Sequence, residues 1–233
     1  MTRTVLLPSH ATPEVRASVP VVLVPEEQPV PVAFLVLNRG EQAAEWHVEL
    51  ACEGGMVEPS SVAVRVPAHG WQVVTAQVRL SPEREVGTVR ARAGESEART
   101  TVRRGIDLSL LEWRRRYTPR ESPPDASLAA PELDDSDWER FGVPSLWQDL
   151  RYAWCRVRFR IPESWRGKRL RLFIAAVDDN DITYLNGQQV GRTNGWDLPR
   201  DYPLPESAVR YGAENVLTVM VDNTYAGGGL YKA

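Results

Sequence analysis

The stretch Asp178–Trp196, "DDNDITYLNGQQVGRTNGW", decides how the rest of the chain is read. It opens with three aspartates in four residues and closes on a tryptophan. Between these ends "ITYL" has strand composition, and Asn186-Gly187 is the strongest short hairpin signal, because both residues tolerate the positive φ of a type I′ turn. The sequence predicts a strand, a type I′ turn and a returning strand that delivers Trp196 to a rim. The acids then fall at a strand end, where carboxylates satisfy nearby backbone donors.

The same β grammar continues on both sides. "RVRFRI" (156–161) alternates strictly, with Val157, Phe159 and Ile161 inward. "RLRLFIAAV" (169–177) begins with Leu170 and Leu172 inward and becomes apolar on both faces. "NVLTVMV" (215–221) is apolar throughout and predicts a central strand buried on both sides. Before residue 105 about seven strands are expected, at 21–24, 32–38, 45–50, 61–66, 71–80, 87–93 and 98–103. Turns such as "NRGE", "EGG" and "PAHG" separate them, and the 18 prolines and 16 glycines fall mostly between apolar runs. This rhythm suits an immunoglobulin-like sandwich without the Cys…Trp…Cys pattern of antibody domains.

The fold class expected is therefore all-β, with two β-sandwiches in series. Residues 1–105 form the immunoglobulin-like sandwich and 132–233 a second sandwich. Residues 106–131 are expected to connect them, because four prolines and the run Arg114–Arg116 interrupt the alternation.

Hydrophobic residues make up 42% and charged residues 25%, which suits a globular protein with a real core. A net charge of -3 gives no electrostatic reason to expect nucleic acid or an anionic membrane as partner. No apolar run is long enough to span a bilayer. The N-terminus "MTRTVLLPSHATPE" lacks the apolar segment of a signal peptide. The location expected is cytoplasmic for the chain as it stands, or extracellular or periplasmic if it is a fragment. Cys52 and Cys155 read as independent thiols, and His10, His47 and His69 show no ligand spacing.

Four passages carry a resemblance: "DDSDWERFGVPSLW" (134–147), "YAWCRVRFRIP" (152–162), "GKRLRLFIAAVDDNDITYLNGQQVG" (167–191) and "GAENVLTVMVDN" (212–223). Through them the second half resembles the sugar-binding jelly-roll domain of glycoside hydrolase family 2, a member of the galactose-binding-domain-like group. The passages "VGRTNGW", "YPLP" and "DNTYAGGGLY" are similar to the variant found in sialate O-acetylesterase-like proteins. The first half resembles immunoglobulin-like accessory modules of bacterial glycosidases, through Asn38-Arg39-Gly40 and the passage Gly55–Val64.

The resemblance implies a non-catalytic module, binding or framing a glycan for a hydrolase or esterase domain carried elsewhere. The (β/α)8 barrel of family 2 takes about 250 residues by itself, and nothing here reads as one. The serine–histidine pair of the esterases is absent too. The chain ends at "GGGLYKA", where the family's sequence runs on, so the second domain reads as truncated. A purely structural module, or part of a family 2 glycosidase whose barrel lies outside this chain, are the alternatives.

Three chemistries compete for the acidic stretch. A sugar site needs an aromatic face against the C–H face of the ring, with planar polar groups for its hydroxyls. Trp196, Asp197, Asn194, Arg200 and Tyr202 lie together in one loop-like segment, with Asp179, Asp181 and Tyr225 within its expected reach. The competing reading makes Trp196 a lid over the hairpin. No cofactor is expected; the alternative is a loop-built structural calcium site, which would draw on Asp178, Asp179, Asp181 and Asp222. Catalysis by carboxylates is not expected, since neighbouring strand residues point to opposite faces.

Overall fold

The computed structural model describes residues 12–25, 28–121, 123–148 and 150–232. The sequence expectations for His10 and for the first eleven positions of the N-terminus lie outside them. The chain divides into two compact units, the first ending at Ile106 and the second beginning at Asp107. Both are built from β-strands with short 3-10 turns, so the all-β expectation holds. Among the described residues no helix is long and apolar enough to cross a membrane.

The first unit contains nine strands: β1 (Pro13–Ala17), β2 (Val21–Val24), β3 (Val30–Asn38), β4 (Ala44–Glu53), β5 (Gly55–Glu58), β6 (Ser61–Val66), β7 (Trp71–Leu80), β8 (Val86–Ala93) and β9 (Ser96–Arg104). The seven expected strands are all present. β1 and β5 are additional; both are short edge strands whose patterns are too brief to stand out in the sequence. The strands form a four-stranded sheet, β1-β3-β7-β5, and a five-stranded sheet, β2-β9-β8-β4-β6. Alternation in β3 and β7 sends Val32, Phe34, Val36, Val74, Ala76 and Val78 inward, against Val48, Leu50, Val89 and Ala91 of the other sheet. Asn38 closes the edge of this core. Its side chain accepts from the Gly40 amide and donates to the carbonyls of Gln42 and Val66, so the polar group is buried without loss.

The second unit begins earlier than expected. β10 (Trp113–Thr118) lies inside the stretch read as connector, yet it pairs with both β11 (Glu139–Phe141) and β13 (Tyr152–Ile161). The arginine run hid it. Trp113 is buried, and the Arg115 guanidinium sits 4.7 Å from the Trp147 ring centroid and 5.0 Å from that of Phe141. Arg115 thus fills an inward position by stacking its charge on rings, with Glu139 paired to it.

The main sheet runs β11-β10-β13-β19-β16-β17, with β16 (Asn180–Leu185), β17 (Gln188–Asn194) and β19 (Ala213–Asp222). A three-stranded sheet joins β12 (Ser145–Trp147), β20 (Gly228–Lys232) and β15 (Ala176–Asp178), and β14 (Arg171–Ile174) pairs with β18 (Arg200–Pro203). β19 is central and buried from Asn215 to Val221, as its unbroken apolar run predicts. One face of the main sheet holds Cys155, Val157, Val219 and Val221 over the smaller sheets. The other holds Trp154, Tyr184 and Met220 beneath Ala129 and Trp138. The expected long strand 169–177 is split, because its two parts join different sheets. The β16–β17 turn has Asn186 at φ 50° and Gly187 at φ 83°, the left-handed pair a type I′ turn needs.

Candidate functional site at one end of the second unit

Register brings one row of residues to the end of the main sheet. Thr118, Tyr152, Asp222, Asn180 and Asn194 are successive cross-strand partners on β10, β13, β19, β16 and β17. Beyond this row lie the acidic turn, the loop carrying Trp196 and the loop carrying Tyr225.

Asp179 ties these loops together. Its carboxylate accepts from the Thr224 amide (2.8 Å), the Thr224 hydroxyl (2.6 Å) and the Tyr225 amide (3.0 Å). Its carbonyl accepts from the Gly195 amide at 3.1 Å. Gly195 also donates to the Asn180 side chain, and Tyr231 donates its hydroxyl to the Trp196 carbonyl at 2.7 Å. Both loops are fixed in backbone while their aromatic side chains stay in solvent: Trp196 is 57% and Tyr225 81% exposed. Asn194 and Asp197 are exposed beside Trp196. Trp196 is therefore not a lid packed over the hairpin.

Three other residues expected at a sugar surface are interior. Asp181 and Arg200 form an ion pair at 2.7 Å whose side chains are both 0% exposed. Asp181 also accepts from the Thr183 hydroxyl (2.7 Å) and the Tyr202 hydroxyl (3.0 Å), and the latter meets the Thr193 hydroxyl at 2.7 Å. Arg200 also donates to the carbonyls of Leu198 and Asp179. Burial first, and then the Asp181 carboxylate, push the Tyr202 phenol well above its usual range. The Tyr202 ring lies so close to Gly191 that a Cβ there would meet it at 2.4 Å. Asp181, Arg200 and Tyr202 are a buried strut under the surface, not part of it.

The calcium expectation fails on the same geometry. Asp181 is committed to Arg200, and Asp222 pairs with Arg120 at 3.0 Å. Among the described residues no group of three or more His, Cys, Asp or Glu is placed to hold a metal ion.

Asp178 and Asp179 do meet, against the expectation of opposite faces. β15 ends at Asp178 and β16 begins at Asn180, so strand alternation does not apply at the turn between them, and their side chains share a hydrogen bond. Burial first, then this bond and the neighbouring negative charge, push the Asp178 carboxyl up to about 6. Burial also acts to raise Asp179, but the Thr224 hydroxyl and amide, Asp178 and the Tyr225 amide outweigh it and hold Asp179 below the usual range. Asp178 therefore carries the shared proton.

The sign of the consequence follows from linkage. The folded state holds the Asp178 proton up to about pH 6, while the unfolded chain releases it near the ordinary value of 3.8. The stabilisation from this group is complete below the unfolded value and is lost as pH rises through about 6. Asp178→Asn keeps a donor toward Asp179 without a titrating proton. It should flatten the fall in thermal midpoint between pH 4 and 6 relative to the parent chain, as followed by scanning calorimetry. An unchanged slope in the variant would show that the shared proton is not there.

Sequence reasoning missed Arg120, Asn180, Thr224 and Tyr231. Arg120 lay in the presumed connector, and the side chains of Asn180, Thr224 and Tyr231 find partners 15, 45 and 35 residues away in other loops, pairings that leave no local pattern to read.

The fold and this end define a β-sandwich with exposed aromatic and polar groups gathered where its loops meet. The chain is 33% identical over 71 residues to a beta-glucuronidase of Paenibacillus borealis, covering 30% of this chain and 12% of that protein. It is 31% identical over 78 residues to a beta-galactosidase of Thermoanaerobacter pseudethanolicus, covering 33% of this chain and 10% of that one. The chain thus spans about a tenth of the length of these curated relatives. A solved glycosyl hydrolase family 2 member from Bacteroides cellulosilyticus aligns at 23% identity and TM-score 0.45, over 52% of this chain and 19% of the other. Bacteroides uniformis beta-glucuronidase aligns at 21% identity and TM-score 0.46, over 52% and 16%. No protein-family model matches the chain.

Proposed function

We propose that the chain is a non-catalytic, carbohydrate-associated module of the glycoside hydrolase family 2 type. It binds or frames a glycan at the end of the second unit for a hydrolase or esterase domain carried elsewhere. One observation carries the reading: exposed Trp196 and Tyr225 are both held by the Asp179 turn, beside Asn194 and Asp197. The aromatic faces suit the C–H face of a pyranose, and the acid and amide side chains suit its hydroxyls. Sequence likeness to a beta-glucuronidase and a beta-galactosidase supports the same class of ligand.

The second unit is read as a galactose-binding-like jelly roll of the variant in sialate O-acetylesterase-like proteins. The first is read as an immunoglobulin-like accessory module, on β1-β3-β7 facing β2-β9-β8-β4 with β2 parallel to β9. A catalytic use of the acids is disfavoured, because the Asp179 carboxylate is taken up by Thr224 and Tyr225 and that of Asp181 by Arg200.

Calorimetry and a glycan array on the whole chain test this. A common mono- or oligosaccharide should bind, and Trp196→Ala should weaken it at least about tenfold, the loss of one aromatic contact. The indole is exposed, so the thermal midpoint should hardly move. No binding at millimolar ligand would favour the purely structural module instead.

A further inference from the structure

We propose that the chain pairs with a second copy of itself along the open side of β7, with Trp71–Thr75 of each copy meeting antiparallel across a two-fold axis so that the first unit's four-stranded sheet continues into the other copy. The topology leaves that side uncovered. β3 pairs with β7 from Trp71 to Val78, but on the other side β5 reaches only from Gln77 to Leu80. After Glu58 the chain crosses to the five-stranded sheet, where β6 pairs with β4. Among the described residues no strand pairs with 71–76 on the side away from β3, so the backbone groups that point there have no ladder partner.

Composition singles this side out. Open strand sides are commonly guarded by charge, proline or shortness. β1 carries Pro13, Glu14 and Arg16, β6 carries Arg65, and β17 carries Arg192 and a register shift. β11, β12 and β15 are three residues long, and β2, β14 and β18 are four. Residues 71–76, "WQVVTA", have no charge, proline or glycine, the composition of a strand that adds to another. Val74 and Ala76 face the core, while Trp71 and Val73 on the outward face are 60% and 47% exposed.

The limits of the gap select the occupant. β5 closes one end, and the turn through His69 and Gly70 closes the other, so the gap takes a short uncharged strand whose chain turns away. β7 of a second copy is such a strand. Directly opposed residues share a face, and a slip by one residue would put outward groups against inward ones. Centred on Val73, the pairing sets Trp71 against the partner's Thr75 and the two copies of Val73 against each other. Moved on by two, it would set Trp71 against the partner's Gln77, whose open side Glu58 already holds. In the Val73 register the exposed His69 comes beside the partner's Glu58, an imidazole next to an exposed carboxylate. A two-fold pair uses each open side once, so association stops at two copies.

The pairing uses no residue around Trp196, so Trp196→Ala should leave it unchanged. Light scattering and sedimentation of the whole chain should show the mass passing from one copy to two between about 1 μM and 1 mM, the range of small, weak interfaces. Amide exchange in 71–75 should slow as it does so. Val73→Lys sets two ammonium groups opposite each other and should weaken the dimer at least about tenfold. Val73 is half in solvent, so the variant should keep the parent's fold and thermal midpoint. Val73→Glu should behave likewise alone, and the two variants mixed should form a heterodimer, because the pairing brings both copies of position 73 together. A chain that stays single at about 1 mM would overturn the proposal. So would a dimer indifferent to Val73→Lys, Lys and Glu variants that stay apart when mixed, or protected 71–75 amides in a single copy, the mark of a cover from the chain itself.

Discussion

Arg200→Met should destabilise the second unit by about 3–5 kcal/mol, because it leaves the Asp181 carboxylate buried without its cation. The geometry explains the size. Both side chains are 0% exposed and meet at 2.7 Å, so removing the guanidinium gives no access to replacement water. The hydroxyls of Thr183 and Tyr202 remain, but neutral donors do not compensate a desolvated charge. The carbonyls of Leu198 and Asp179 lose their donors in the same step. At about 4 °C per kcal/mol for a unit of this size, the midpoint should fall by roughly 10–20 °C.

Six of the eight tryptophans lie after Ile106, so intrinsic fluorescence in a urea titration follows this unit. Asp181→Leu combined with Arg200→Met should recover part of the loss, since a buried ion pair can often be exchanged for apolar groups. Full recovery is not expected, because Thr183 and Tyr202 would then lack their acceptor. An Arg200→Met midpoint within 2 °C of the parent would mean that water reaches Asp181. Trp196→Ala is expected to behave in the opposite way, weakening sugar binding with little change in stability. The contrast separates the strut from the surface that it holds in place.

That division was only half legible in the sequence. Asn186-Gly187 gave the hairpin because a type I′ turn depends on two adjacent residues alone. The unbroken apolar run 215–221 gave the central strand because both faces of β19 are covered. Asp181 was a different case. It shares a strand face with Thr183 and Leu185, which points to the core, yet an acid in the core makes sense only with a cation. That cation is Arg200, on β18 in a different sheet, and no local pattern announces a pairing across sheets. The meeting of Asp178 and Asp179 was hidden for the opposite reason: the alternation rule was applied across a turn. The presumed connector failed through charge. Three consecutive arginines look solvated, but Arg115 lies against the rings of Trp147, Tyr117 and Phe141, none of which is near it in sequence except Tyr117.

Arg156 belongs to the same class of hidden residue and supports the second large expectation. Alternation in "RVRFRI" sends Val157 to the main core and Arg156 to the opposite face, which would be solvent in a bare sheet. Here residues 126–138 roof that face, and the Arg156 side chain is 0% exposed. Its guanidinium donates to Asp135 at 2.8 Å and to the carbonyls of Leu128 (2.6 Å) and Ala130 (3.0 Å), beneath the Trp138 ring. Burial lowers its pKa and the Asp135 carboxylate opposes that, but a guanidinium stays charged in either case. Arg156→Met should therefore cost about 3 kcal/mol, the lower end of the range for a broken buried pair. It should cost less than Arg200→Met because Asp135 retains Arg158 at 3.2 Å, whereas the cation paired with Asp181 is Arg200. Arg156→Lys should recover little, since one ammonium cannot serve a carboxylate and two carbonyls arranged for a planar fork. The distinguishing readout is local. Amide exchange should speed up first in residues 126–138, whose hold on the sheet runs through this guanidinium, while β19 stays protected until global unfolding. Uniform loss of protection across the unit would make Arg156 an ordinary core contributor rather than the pin of this roof.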